Sequence, residues 1–137
     1  MNDSQLQIEK LKEKFMPEYY KSIDVDEGWY QLVIDCDREL TQIDPHYQIA
    51  QIKEKFGGLR YYFHPSQSDT SNAMHKVVAK YEAIAAGTCE ATGGLGMLMK
   101  GVGGRLKTLN TEYAKTTILY KNYSIVQNNS THDSLGS

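Results

Sequence analysis

Two four-residue segments, residues 89–92 and 110–113, have the spacing of the two ligand pairs in a zinc ribbon. Seventeen residues separate them, and their glycines are typical of the turns of a β-hairpin. The first and last positions of the two segments hold Cys89, Thr92, Asn110 and Tyr113. Structural zinc sites need four thiolate or imidazole ligands, whereas this set offers one thiolate, a hydroxyl, an amide and a phenol. The pattern therefore predicts a metal-free, ribbon-like hairpin over residues 88–116, and no cofactor is indicated.

A second group of residues combines positive charge with aromatic rings. Its members are Lys53, Lys55, Arg60 and Tyr62 in one predicted hairpin, with Lys100, Arg105 and Lys107 in the ribbon-like segment. Surfaces of this kind stack bases and neutralise phosphates, so they predict nucleic-acid binding. Because alternate strand residues face opposite sides, Arg60 and Tyr62 share one face and Tyr61 and Phe63 share the other. One of these two faces must cover the helices. A half-buried hairpin with a charged outer face is the simpler interpretation, and a pI of about 6.1 argues against a nucleic-acid function.

Two methionines among the glycines, Met97 and Met99, offer a third kind of surface. Their unbranched side chains adapt to the shape of a protein partner. They can equally fill a small core with the other apolar residues of the segment, which are Leu95, Leu98, Val102, Leu106 and Leu109. The residues leave these two interpretations open.

Catalytic patterns are not found in the sequence. The histidines lack the H-E-x-x-H spacing, the glycines complete no phosphate-binding loop, and no G-x-S-x-G motif is present. The leading hypothesis is therefore a non-enzymatic protein–protein interaction module. It would act through an acidic helical face or through the glycine- and methionine-rich hairpin. Nucleic-acid binding is the alternative, and the identity of a partner and the oligomeric state do not follow from the residues.

Several short motifs occur in an order that resembles one protein family. They are Gly28-Trp29, QIKEKFGGLR at 51–60, Thr88-Cys89-Glu90, Leu106-Lys107-Thr108-Leu109 and Tyr113-Ala114. Together they resemble a family of small uncharacterised proteins encoded by bacteria and their phages, over about residues 26–115. Members of that family carry Cys-x2-Cys and Cys-x2-His at the two ligand segments, so the resemblance implies a degenerate ribbon here. It supplies no activity, and it favours a phage- or prophage-encoded inhibitor of a host or defence protein.

The elements that position these residues are predicted from hydrophobic periodicity. Apolar residues at helical spacing predict helices over about 4–22, 26–44 and 71–86, with Pro17 interrupting the first. Alternating segments on either side of Gly57-Gly58 predict a β-hairpin, and β-branched and aromatic residues predict a strand over 117–126. We therefore expect one α+β domain over residues 1–126, followed by a polar, disordered tail at 127–137.

Composition sets the outer limits. The chain has 137 residues, a formal net charge of −2 and only two cysteines, and no apolar run approaches the length of a membrane span. Few cysteines and no visible signal peptide favour a cytoplasmic location. Charge is segregated, since residues 1–44 carry five Lys/Arg against eleven Asp/Glu, whereas residues 45–110 carry eight against four. The two regions either attract one another within the fold or present a basic face to an acidic partner.

Overall fold

In the computed structural model, which describes residues 1–127, helices and two small sheets form a mixed architecture, and the predicted α+β class is confirmed. The helices are α1 (Asp3–Leu11), α2 (Tyr30–Ile43), α3 (Ser71–Ala85) and α4 (Thr111–Thr116). The strands are β1 (Ile23–Asp24), β2 (Gln48–Lys55), β3 (Gly58–His64), β4 (Met97–Lys100), β5 (Leu106–Leu109) and β6 (Ser124–Ile125). The single domain over residues 1–126 stays a prediction. Of the predicted tail at 127–137, only residue 127 is among the described residues.

A first core lies between the helices α1, α2 and α3 and one face of the sheet β1-β2-β3. Ile52 of β2 pairs with Tyr61 of β3, and Leu59 is two residues before Tyr61. The side chains of Ile52 and Leu59 therefore point to the same, inward side of the sheet, and both are fully buried. Val33 and Leu40 lie on one face of α2 at helical spacing and meet them from the other side. Because full burial of each such side chain contributes roughly 1.5–3 kcal/mol, this core dominates the stability of the chain.

α3 matches the prediction, and α2 does so after a 3-10 turn at Glu27–Trp29, whereas α4 was not predicted and the first helix is shorter than predicted. Asn2 caps α1 in a capping box with Gln5, and the helix ends at Leu11, followed by a single 3-10 turn, instead of continuing to residue 22. Pro17 explains the difference, since it cannot donate to a helix and it forces the residue before it into extended geometry. None of the helices within residues 1–127 is long and apolar enough to cross a membrane.

The β2–β3 hairpin is confirmed, but its turn is one residue earlier than predicted. Phe56 and Gly57 both have positive φ angles, 54° and 82°, which identifies them as the two central residues of the turn. Gly58 is instead the first residue of β3. The Gly57 N–H donates to a Glu54 carboxylate oxygen at 2.7 Å, which compensates in part for the unfavourable conformation of Phe56.

The second sheet has the strand order β5-β4-β6, so the predicted hairpin in the ribbon-like segment is present. Its core differs from the predicted one. The buried members are Cys89, Met99, Leu109 and Ala114, and partly buried Tyr113, Tyr120 and Tyr123 pack against them. Leu95, Met97 and Val102, which the sequence allows in such a core, are exposed. Aromatic rings from beyond the hairpin therefore occupy the space that aliphatic side chains were predicted to fill.

The predicted strand over 117–126 is wrong for most of its length. Turns occupy much of the segment after α4, and only Ser124–Ile125 forms a strand, β6. That strand pairs with β4, with Ile125 opposite Met99. The tyrosines that suggested a strand instead pack against one another, with the ring centroids of Tyr120 and Tyr123 5.2 Å apart. Packing on the second core therefore outweighs the local β preference.

The two cores meet at a junction where backbones approach closely. A Cβ atom added to Gly28 would lie 2.3 Å from the carbonyl oxygen of Glu90, so only glycine fits there. The neighbouring Trp29 donates its indole N–H to the Thr88 carbonyl at 2.9 Å. At the other end of the junction, the hydroxyl of Thr108 donates to the Gly57 carbonyl at 2.7 Å. Four of the motifs that carry the family resemblance thus contribute to this junction.

Candidate functional site

The two predicted ligand segments come together in the structure, but their side chains have other roles. Cys89 is fully buried, and its sulfur accepts the Thr92 N–H at 3.4 Å. The Thr92 hydroxyl accepts a bond from Gly94, which closes the local turn. Asn110 caps α4 by accepting the Tyr113 N–H at 3.0 Å. Capping, turn formation and aromatic packing therefore hold the segments that metal ligation would otherwise join.

The Cys89 thiol has a perturbed proton affinity without a metal-binding environment. Burial on its own would raise the pKa of this thiol. Hydrogen bonds from the Thr92 hydroxyl and from backbone N–H groups of both segments, including that of Asn110, outweigh burial and lower the pKa. Within residues 1–127, no three His, Cys, Asp or Glu side chains are grouped as a metal ion would require. The thiol is enclosed within the second core, where it packs as a small side chain.

Lys107, a predicted surface cation, is buried instead. Its ammonium lies 2.7 Å from a Glu90 carboxylate oxygen and 3.3 Å from a carboxylate oxygen of Asp26. Glu90 is only 2% exposed and also accepts the backbone N–H of Asp26 at 3.0 Å. Burial on its own would lower the pKa of Lys107, but the hydrogen bond and attraction to Glu90 raise it. The charge of Lys107 is therefore used at the junction and is not available on the surface.

The outward side of the sheet β1-β2-β3, called the outer face, collects the remaining basic residues of the hairpin. Register places Lys53 between Asp24 on β1 and Arg60 on β3. Lys55 follows two residues along β2 on the same side, and Tyr62 lies opposite Gln51. The predicted sharing of one face by Arg60 and Tyr62 is confirmed. No ion-pair partner of Lys53, Lys55 or Arg60 is found among residues 1–127.

A groove of about 500 Å³ opens beside the Gln51–Tyr62 pair of the outer face. Three exposed tyrosines form its aromatic walls, and we call it the tyrosine groove; they are Tyr19, Tyr20 and Tyr62. Its polar atoms come from Asp24, Gln51 and Ser22, and the Ser22 hydroxyl donates to the Asp24 carboxylate. Tyr19 and Tyr20 are not among the predicted site residues, because hydrophobic periodicity places them inside a helix. Pro17 was the signal that the chain turns away before them.

A second, shallower cleft lies where the turns of the two hairpins face each other. Its volume is about 430 Å³, and Lys55, Phe56 and Arg105 line it. Phe56 is 70% exposed, and the Lys55 ammonium lies 5.6 Å from the centre of its ring. Lys100 is also exposed, at the end of β4. Of the predicted cations, this cleft therefore brings Lys55 and Arg105 together, whereas Lys107 lies inside the junction.

The second sheet and the chain that follows it expose a concentration of apolar side chains. Seven large ones are exposed between residues 95 and 126, which are Leu95, Met97, Val102, Ile118, Leu119, Ile125 and Val126. Met97 is two residues before Met99 in β4, and Ile125 pairs directly with Met99. The side chains of Met97 and Ile125 therefore lie on the same side of the sheet. Met99 itself is buried, so of the two methionines only Met97 is available on the surface.

A small cleft of about 260 Å³ adjoins this apolar surface. It lies between α4, β4 and β6, and its lining includes Ala114, Tyr123 and Ile125. Among residues 1–127, β6 is the edge strand of its sheet, and one side of its backbone is not paired with another strand of that part of the chain. An apolar cleft beside an open strand edge has the chemistry to receive an apolar side chain from another protein. We call Met97, Ile125 and this cleft the ribbon face.

The acidic helical face is largely neutralised within the chain. Glu39 on α2 pairs with Lys80 on α3 at 2.7 Å, and Asp37 pairs with Lys14 at the same distance. Asp35 is paired with Arg38 on its own helix. Some acidic residues of the segment 1–44 therefore pair with basic residues of the segment 45–110 within the fold, as in the Glu39–Lys80 and Asp26–Lys107 pairs. This face offers a partner less free charge than its composition suggests.

Comparisons with protein-family models, with curated proteins and with solved structures find no match to this chain. The family resemblance therefore rests on the quoted motifs alone and stays a prediction. What can be said of function depends on three surfaces of the molecule, which are the outer face with its tyrosine groove, the cleft between the hairpin turns, and the ribbon face.

Proposed function

We propose that this chain is a non-enzymatic module that binds another protein through its ribbon face. The observation that carries the proposal is the concentration of exposed apolar side chains between residues 95 and 126. The preceding 94 residues, a stretch about three times as long, expose the same number of large apolar side chains, four of them within residues 1–26. Exposed apolar side chains that lie together are costly in water and mark interaction sites.

The surface has the parts of a small docking site. Met97 and Ile125 are each nearly half exposed and flank buried Met99, so they can pack against a partner without unfolding the core. The adjoining cleft accepts one apolar side chain, and the open edge of β6 offers backbone groups for strand pairing. Hot-spot residues at interfaces are commonly of this kind, apolar anchors seated in a pocket beside adaptable neighbours.

The resemblance to small phage and bacterial proteins supports a host or defence protein as the partner, which binding would inhibit. A cytoplasmic location is part of the proposal and is supported by Cys36 and Cys89, both of which are free thiols. The neutralised acidic helices support the ribbon face over the helical face as the contact surface.

The test compares capture of bacterial host proteins by the wild type and by variants of matched exposure. The double variant Met97→Lys/Ile125→Lys places two charges on the ribbon face. Ile84→Lys places one charge on α3, at a residue that is similarly exposed, 43% against 45% and 46%. We expect a stoichiometric partner to be retained at moderate salt by the wild type and by Ile84→Lys, and to be lost with the double variant.

Two results would contradict the proposal. One is the absence of any stoichiometric partner for the wild type. The other is a partner that the double variant retains as well as the wild type does, which would move the interface away from the ribbon face. Thermal unfolding of all three proteins establishes that a lost partner reflects the surface and not the fold.

A further inference from the structure

The tyrosine groove and the outer face form a second surface whose chemistry differs from that of the ribbon face. The groove is concave and aromatic, and the face beside it is basic and lacks compensating ion pairs within residues 1–127. We propose that this surface binds single-stranded nucleic acid, with one unpaired base in the tyrosine groove and the adjoining phosphates on Lys53, Arg60 and Lys55. This activity is separate from protein binding at the ribbon face.

The groove fits a base in size and in chemistry. About 500 Å³ lies within the range of pockets that hold small organic ligands. Tyr19 and Tyr62 are each a little under half exposed, and Tyr20 is 90% exposed, so ring faces are available for stacking. The Asp24 carboxylate accepts hydrogen bonds, and the Gln51 amide both donates and accepts them, which suits the edge of a base. Bases in a duplex are stacked inside and cannot enter such a groove.

The register of the sheet places the cations that would bind the phosphates in a row beside the groove. Lys53 is next to Asp24 on one side and Arg60 on the other, so both cations adjoin the groove. Lys55 continues the row about 7 Å farther along β2, the distance of two residues in a strand. An extended polyanion lying along β2 therefore meets a cation next to the groove and another at the end of the strand. Asp24 is the one acid among the paired residues on this side of the sheet, and it lines the groove, where the base edge lies.

The test is equilibrium binding of a fluorescent single-stranded DNA twelve-mer of mixed sequence to the full chain. Tyr62→Leu removes the ring, whereas Tyr62→Phe keeps it, so the pair separates stacking from folding. We expect Tyr62→Leu to weaken binding about fivefold or more and Tyr62→Phe to bind within about twofold of the wild type. The duplex of the same sequence should bind more weakly than the single strand.

A second pair of variants tests the neutralisation of phosphates. Lys53→Gln/Arg60→Gln removes two cations from the outer face, and Lys76→Gln/Lys121→Gln removes two exposed cations elsewhere, with the same change in net charge. In the first variant, the slope of log affinity against log salt should fall by about 0.7 for each phosphate that is no longer neutralised. The control variant should keep the slope of the wild type.

The proposal would be overturned by binding of the single strand at 50 mM salt no tighter than ordinary non-specific association, about 10⁻⁴–10⁻⁶ M. Equal binding by Tyr62→Leu and the wild type, equal salt slopes for the two double variants, or displacement of the strand by polyglutamate of equal charge would each overturn it as well. A mononucleotide that binds as tightly as the twelve-mer would also overturn it, because the row of cations would then contribute nothing.

Discussion

The two cores of this chain differ in how much each can support on its own. The first contains eighteen buried residues supplied by three helices and a three-stranded sheet. The second contains four, and it is completed by tyrosine rings that are only partly buried. Since apolar burial supplies most of the folding free energy, the first core can sustain its surroundings, whereas the second cannot. A small core of this kind needs an additional source of stability, which in ribbon proteins is a metal ion.

The junction supplies that source here. The second core is tied to the first by the Trp29 and Thr108 hydrogen bonds, by the close approach at Gly28 and by the contacts of Asp26 with Glu90 and Lys107. The comparison teaches that docking against a larger core can hold a ribbon-like hairpin, and variants of the junction and of either core can test this.

The largest effect is expected from Lys107→Met. This change leaves Glu90 buried without a cation, which destabilises proteins by about 3–5 kcal/mol. Hydrogen exchange should show the loss of protection in β4 and β5, while β2 and β3 stay protected. The double variant Lys107→Met/Glu90→Leu removes both charges and should recover most of the stability. Equal loss of protection in both sheets would show that the two cores are not energetically distinct.

Truncation of one leucine in each core measures the difference directly. Leu40 and Leu109 are both fully buried, in the first and second core respectively. Leu40→Ala should lower the global free energy of unfolding by about 2–5 kcal/mol, as measured by urea denaturation. Leu109→Ala should instead produce a separate transition at lower urea concentration, which is monitored through the near-ultraviolet signal of the tyrosines around Leu109. A single shared transition for both variants would argue against the comparison.

A smaller change in stability, confined to the first core, is expected when Asp44 is replaced. This carboxylate is 4% exposed and accepts hydrogen bonds from Ser66 and from the His46 N–H. Burial on its own would raise the pKa of Asp44, but these bonds lower it below the usual 3.8. Its contribution to stability is therefore complete above pH 3.8 and is lost as the pH falls through the lowered pKa.

Asp44→Asn should cost about 1–3 kcal/mol at neutral pH, because at least one buried hydrogen bond is lost. The variant should also flatten the decline in stability as the pH falls below 3.8, as measured by urea denaturation at a series of pH values. The transition of the second core should be unchanged. A variant that is as pH-dependent as the wild type would assign the decline to other carboxylates.

The sequence predicts the elements of the first core well, because its patterns are local. Helical periodicity locates α2 and α3, and strand alternation locates the β2–β3 hairpin and the common side of Arg60 and Tyr62. The errors arise where distant packing decides. Tyr120 and Tyr123 have the β preference of strand residues, but the second core holds them in turns.

The candidate surfaces are predicted less completely, for the same reason. The basic residues of the outer face follow from alternation, but the fate of Lys107 depends on Asp26, 81 residues away in the sequence. Nothing local distinguishes Lys107 from Lys100, which stays exposed. The tyrosine groove joins residues from the turn after Pro17 to β3, so neither segment indicates it alone.

The junction also has a consequence for the order in which the chain folds. Its hydrogen bonds link residues 51 to 81 positions apart, such as Thr108 with Gly57 and Lys107 with Asp26. Interactions of such separation close long loops and form late, whereas the β2–β3 hairpin closes over a two-residue turn. During synthesis the second core emerges last and can dock only on a first core that already exists. Until it docks, Glu90 and Lys107 remain hydrated and the glycine-rich hairpin has no surface to hold it.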